Sequence, residues 1–359
     1  MSRDLTILAV GAAAAVACAL PGTFLLLRGM SLLGDAISHA VLPGIVIAFL
    51  LSGTVSALPV VLGAGAVGLF TVFLIETLRR TRRVKEDASI AVVFPALFAL
   101  GVLLVVQFAG QKDLDQECVL YGEIAYAHFD TMTLFGVVTL SRPLVVLAVV
   151  ALLNLAFVVG FWKELKLSTF DGTLAAALGL SPALVHYLLM GAVSATTVAS
   201  FESIGAILVV AFLIVPPATA YLLTDRLSVM LALACGIGVG AVAIGYEFAR
   251  RTDTSIAGSM AVAMGLLFAL AWLFAPSEGV LGRLYRRRLA ADRFAKALVL
   301  ERLAREPASY KALGRDLAWD SERLSHVLAS LRAQGHVSGD DARMEPTPGG
   351  LAFARDVMQ

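Results

Sequence analysis

Charge is what this sequence has least of. Only 15% of its 359 residues are Asp, Glu, Lys or Arg, where an ordinary soluble domain carries about 25%. The 35 residues from Val41 to Ile75 hold none at all. A soluble globular fold is excluded by that shortage alone. Cysteine is scarce too: Cys18, Cys118 and Cys235 stand far apart, without pairing or metal-ligand spacing, so no disulfide framework and no thiolate metal centre can be read. Nowhere does GxxxxGK[ST] occur, which removes a phosphate loop and assigns any nucleotide chemistry to another subunit. Finally, no small-residue cleavage site follows the first apolar run, which therefore reads as a retained helix and not as a signal peptide.

What fills the chain is apolar. Hydrophobic residues make up 59% of it and the mean hydropathy is +0.85. A membrane-spanning helix needs about 20 mostly apolar residues. By that measure the charge-poor runs fall near 5 to 27, 33 to 51, 55 to 78, 88 to 108, 143 to 162, 184 to 201, 203 to 223, 228 to 248 and 257 to 276. The second is short and partly polar and the seventh contains Pro216-Pro217, so the expectation is an all-α polytopic membrane protein of eight to nine spans. The formal net charge of +1 conceals strong segregation. Lys and Arg collect on the cytoplasmic side of membrane proteins, which puts Arg79-Arg80-Thr81-Arg82-Arg83 and the segment from Arg283 to Arg293 inside. With nine spans the N-terminus is then outside, residues 109 to 142 are outside and 163 to 183 are inside. Arg250-Arg251 falls outside, against the trend. The long external loop holds Asp113, Asp115, Glu117, Glu123 and Asp130 with His128; it reads either as a solvated loop or as an acidic mouth that concentrates cations or docks an external partner.

Ionisable groups inside spans are costly and mark transport paths. The clearest case is Gly34-Asp35-Ala36-Ile37-Ser38-His39-Ala40-Val41-Leu42-Pro43-Gly44. Asp35 and His39 are four apart, so a helix puts both on one face, one turn from each other. A carboxylate oxygen and an imidazole nitrogen converging there form half of a site for manganese, zinc or ferrous iron, with a second copy of the helix from a symmetry-related subunit supplying the rest. The alternative is an Asp–His hydrogen bond that only fixes helix packing. Glu202 lies where two spans meet and either faces the pathway or sits at the external surface. His186 reads as interfacial, and Glu76 as a partner of the neighbouring arginines. Pro216-Pro217 should break the hydrogen-bond ladder of its helix.

Four stretches together resemble the manganese/zinc/iron permease family of ATP-binding-cassette importers: Gly22 through Asp35 and on to Gly44, Lys85-Glu86-Asp87-Ala88, Phe201 to Val209 (FESIGAILV), and Leu213 to Leu227 (LIVPPATAYLLTDRL). The resemblance runs through residues 5 to 280. It implies a homodimer or close heterodimer of permeases in a bacterial plasma membrane, two cytoplasmic ATPases, and an extracytoplasmic protein that delivers the metal. It also implies that Asp35 and His39 line the metal pathway and that no cofactor is bound beyond the transported ion. The segment Asp113 to Ile124 resembles members tied to manganese or iron. Phe170 to Pro182 reads as a short amphipathic helix stopped by Gly and Pro; it is similar to the coupling helix of related importers, which implies ATPase contact by Ala176, Leu178 and Gly179.

Two domains are expected, 1 to 280 in the membrane and 281 to 359 in the cytoplasm. The tail shows helical patterns near 292 to 304, 309 to 318 and 321 to 334, then a polar wing around Ser338 to Met344, and so looks like a winged helix. From Leu289 onward ten Arg and Lys face ten Asp and Glu. A DNA reader needs a basic surface, so a regulatory or packing module is the better reading. Two rivals of other classes stand beside the importer subunit. A stand-alone proton-coupled metal transporter calls for inverted repeats, and no second GDAxSHA copy occurs. A membrane-anchored transcription regulator calls for a DNA-binding tail.

Overall fold

The computed structural model of the chain describes residues 2–52, 57–81, 84–109, 124–134, 138–275 and 279–358. The chain separates into two compact units, Met1–Trp272 and Leu273–Gln359. The first is almost wholly helical: α1 Arg3–Leu27, α2 Leu32–Ala40, α3 Leu42–Ser52, α4 Ala57–Arg80, α5 Glu86–Leu104, a β1–β2 hairpin (Thr131–Leu134 and Val138–Ser141), α6 Arg142–Gly160, α7 Trp162–Phe170, α8 Gly172–Ala177, α9 Pro182–Ile204, α10 Ala206–Leu223, α11 Leu227–Thr252 and α12 Ile256–Phe274. Among the described residues nine helical stretches are long and apolar enough to cross a bilayer, the upper of the two counts expected. The chain is a multi-pass membrane protein.

Lipid tails are as apolar as leucine, so helices in a membrane associate by close packing and interhelical hydrogen bonds. The sequence supplies both. α1 is rich in alanine and glycine, packs against α6, α10 and α11, and is buried along most of its length. Gly44 of α3 and Gly63 of α4 press backbone on backbone, so that a Cβ at either would overlap the other's carbonyl. In α6, Asn154 donates to the Ala17 carbonyl (2.8 Å) and to Thr196 Oγ1 (2.7 Å), tying α1, α6 and α9 together inside the apolar interior.

The span expected over 33 to 51 is present as Leu32–Ser52, built from α2 and α3 with a turn at Val41, whose carbonyl takes the amides of Gly44 and Ile45; Pro43 has no N–H and sits in the first turn of α3, where none is needed. One expectation is corrected here. Pro216-Pro217 does not split its helix, since α10 runs unbroken through both prolines. Pro217 leaves the Leu213 carbonyl without its helical donor, and Gly22 of α1 packs directly on that oxygen. Only a residue without Cβ fits there.

The second unit contains α13 Val280–Arg305, α14 Tyr310–Leu317, α15 Ser321–Ala333, an antiparallel ribbon of β3 Val337–Asp340 and β4 Arg343–Pro346, and α16 Pro348–Met358. Ser309 and Asp320 cap α14 and α15 by accepting backbone amides, as short hydroxyl and carboxylate side chains do best. Its core is ordinary aqueous packing, with Val299, Leu300, Leu313, Leu328, Leu331 and Met344 almost fully buried.

Candidate functional site

α2 is enclosed nearly all round. Of residues 33 to 40, all are buried except Asp35 and His39, whose side chains are 42% and 36% exposed. Gly34, on an enclosed face, lets α2 approach Leu213 of α10. Ser38 turns inward and donates to the Gly34 carbonyl at 2.8 Å, which leaves its hydroxyl occupied within the helix. His39 Nε2 stands 3.5 Å from Asp35 Oδ1. Around the imidazole lie the rings of Phe94 and Phe98, with centroids 6.0 and 6.2 Å away. The pair is therefore polar on one open side and backed by aromatic carbon.

That separation suits a shared cation. With ligand distances of about 2.1 Å, two donors 3.5 Å apart subtend roughly 110° at the ion, close to a tetrahedral angle, and a small closure reaches the right angle of an octahedral site. Oxygen plus imidazole nitrogen is a donor set for manganese, zinc or iron. One chain supplies too few ligands. Among the described residues no group of three or more His, Cys, Asp or Glu converges.

The other expected residues are placed as follows. Glu202 is in the last turn of α9, and its side chain lies outside the described ones. Asp113, Asp115, Glu117 and Glu123 lie outside the described residues, as does Cys118. Asp130 stands 4.0 Å from Arg142, and His128 Nδ1 is 2.9 Å from the Ala125 carbonyl. Glu76 pairs with Arg79 (2.9 Å) and Arg80 (3.3 Å). The arginines that run against the charge trend, Arg250 and Arg251, share Glu247 at 3.0 and 2.7 Å.

The segment compared with a coupling helix is a single built turn. Asp171 starts α8 by accepting the amides of Thr173 and Leu174 at 3.1 and 2.9 Å and the Thr173 hydroxyl at 2.6 Å. Those bonds, the hydroxyl first, hold its carboxyl below the usual carboxylate range, so the cap is complete at neutral pH and is lost only as pH falls through that depressed value. At the other end Gly179 has φ +81°. Its amide reaches the Ala176 carbonyl and that of Leu180 reaches Ala175, both at 3.0 Å, which is a Schellman stop. Ala175 is buried; Ala176, Leu178 and Gly179 are all exposed, Leu178 by 64% and Leu174 by 48%. Leu174 and Leu178 thus lie in the open on a turn whose two ends are fixed by hydrogen bonds.

Sequence reasoning overlooked two polar groups. Asn154 was legible as the lone amide in the apolar run from Arg142 to Gly160, a position that demands partners. Arg28 was quoted only as part of a motif; the structure gives it three side-chain partners from distant helices.

Comparison with known proteins agrees with this architecture. A model of the ABC 3 transport family matches residues 5–275. The manganese transport system membrane protein MntD of Bacillus subtilis is 47% identical over 286 residues, 80% of this chain and 97% of that protein. The zinc transport system membrane protein TroD of Treponema pallidum is 42% identical over 363 residues, 99% of this chain and 98% of that protein. Among solved structures, PsaBC from Streptococcus pneumoniae in complex with Fab superposes with a TM-score of 0.64 at 29% identity, covering 77% of this chain and 94% of that one.

Proposed function

The chain belongs to the ABC 3 transport family, and from that premise we propose that it is the membrane-spanning permease of an ATP-driven importer of a divalent transition metal, manganese foremost, with zinc or iron as alternatives. One observation carries the reading: the only side chains of the enclosed turns of α2 with access are an oxygen and a nitrogen donor set to share an ion. Names of relatives support the class of cargo, manganese for MntD and zinc for TroD. The metal arrives from an extracytoplasmic binding protein, is held by Asp35 and His39 with donors from a second permease copy, and is released inward. Energy comes from separate ATP-binding subunits that dock on α8 through Ala176, Leu178 and Gly179. Glu202 is proposed as a further pathway residue near the external end of α9. The chain itself is the transport subunit, as its match to the ABC 3 transport family supports.

Uptake of radiolabelled Mn2+ by cells producing the chain with its ATPase tests this. Uptake should stop when ATP hydrolysis is blocked and should be competed by Zn2+ or Fe2+. Uptake that survives loss of ATP but collapses with the proton gradient would instead establish a secondary transporter.

Residues 281 to 359, within the second unit, are read as a cytoplasmic winged-helix module. Its three helices followed by a β3–β4 ribbon support that, and the match to TroD extends over it. From Leu289 onward acidic and basic residues balance, so that part gains no counterion-release term on DNA and its partner is protein. MntD is matched over 97% of its length by 80% of this chain, which supports a pathway complete without the tail. Truncation from Ala290 onward is therefore expected to alter assembly or regulation while Mn2+ uptake persists. Retained assembly with no uptake at all would refute it.

A further inference from the structure

We propose that Arg28 is a positioning residue that clasps the metal-binding helix to the ATPase-docking turn, an inference that rests on the importer reading above. Arg28 is the C-cap residue of α1, directly after Leu27. Beyond it the chain reverses through Gly29, whose φ is +74°, with Gly29 bonding back to Leu26 at 2.9 Å and Met30 to Leu25 at 3.0 Å. This is a rigid Schellman turn. α2 begins four residues after Arg28, and Asp35 is seven residues after it. The position of Arg28 therefore sets where α2 starts.

Its guanidinium reaches away from that turn to two other elements. Nη2 donates to Ser168 Oγ at 2.8 Å and Nε to Thr169 Oγ1 at 3.2 Å, in the last turn of α7. Nη1 lies 3.4 Å from His186 Nδ1 at the start of α9. Thr169 is two residues before Asp171, the cap of α8. One planar fork thus joins the turn that launches the metal ligands to the turn that launches the docking helix, across more than 130 residues of sequence. All three partners are neutral acceptors; the geometry calls for a hydroxyl or a bare ring nitrogen at each, which assigns the proton of His186 to Nε2.

Nε2 of His186 is itself buried, so the imidazole is enclosed beside the guanidinium and not free in solvent. A simple membrane-surface anchor would need only a positive charge in water, not three aimed bonds.

The experiment uses the full permease purified with the ATPase it retains, in proteoliposomes, with Mn2+ as probe and both uptake and ATP hydrolysis measured. Arg28→Gln should keep Mn2+ binding and ATPase retention yet lower the Mn2+ moved per ATP by about tenfold, an ordinary size for coupling between sites. Arg28→Lys, a point charge without the fork, should restore only part of it. The double variant Ser168→Ala/Thr169→Val should reproduce the loss with Arg28 intact, and it decides the matter where Arg28→Gln fails to assemble. A surface anchor predicts full rescue by lysine and a normal ratio in the double variant; that pair of results would overturn the clasp. Absence of ATP-dependent uptake in the wild-type complex would overturn the importer reading instead.

Discussion

Alanine at Asp35 or at His39 is expected to abolish metal uptake while the permease still assembles. On the proposed assignment each is one of the two donors that converge here among the described residues. Loss of a group that merely supports a ligand costs about 10–100-fold in metal affinity, so loss of the ligand itself should cost at least about 100-fold. Assembly should survive because neither side chain is core: both are partly open, while the packing of α2 is carried by Leu33, Ala36, Ile37 and Ala40. Asp35→Asn sharpens the test. It keeps shape and an oxygen but removes the charge that offsets a divalent ion, so uptake should remain lost. Radiolabelled Mn2+ uptake beside a quantified membrane yield gives the answer. Wild-type rate and affinity in both alanine variants would reduce the pair to a packing contact.

The features that were legible in the sequence are those with a local signature. Nine apolar runs announce themselves by length, because a bilayer sets a fixed span. Asp35 and His39 announce themselves by a spacing of four on a helix, which needs no tertiary knowledge. Gly179 marks the end of α8 in the same way, since a glycine stop is chemistry of neighbouring residues. What stayed hidden is non-local. Nothing in the sequence around Arg28 names Ser168, Thr169 or His186. Gly44 and Gly63 look like two of many small residues until the backbones meet. Pro216-Pro217 misled because a proline can remove a helical hydrogen bond without ending the helix, and α10 continues through both. The division at Val41 was hidden for the opposite reason: hydropathy measures length and polarity, and it is blind to a local turn inside one apolar run.

The exposed face of α8 should respond as strongly as the metal site, but in a different observable. Ala176→Arg adds bulk and charge to a side chain that lies open, so it leaves this chain's own packing alone and acts only on a partner. Coupled uptake should fall to background, with the ATPase lost from the complex or hydrolysing without transport. Gly179 acts through the backbone. No atom lies within 4 Å of a Cβ built there, yet its φ of +81° is left-handed, and a residue with a Cβ loses roughly 1–2 kcal/mol in that conformation. Gly179→Val should therefore unwind the Schellman stop and misdirect Leu178, whereas Gly179→Asn, which tolerates the left-handed region, should retain most coupling. The contrast separates turn geometry from contact: if valine and asparagine behave alike, the stop is irrelevant and Gly179 matters only as surface. If Ala176→Arg also leaves uptake per ATP and ATPase retention at wild-type values, the docking surface lies elsewhere, and the open leucines of this turn face something other than the motor.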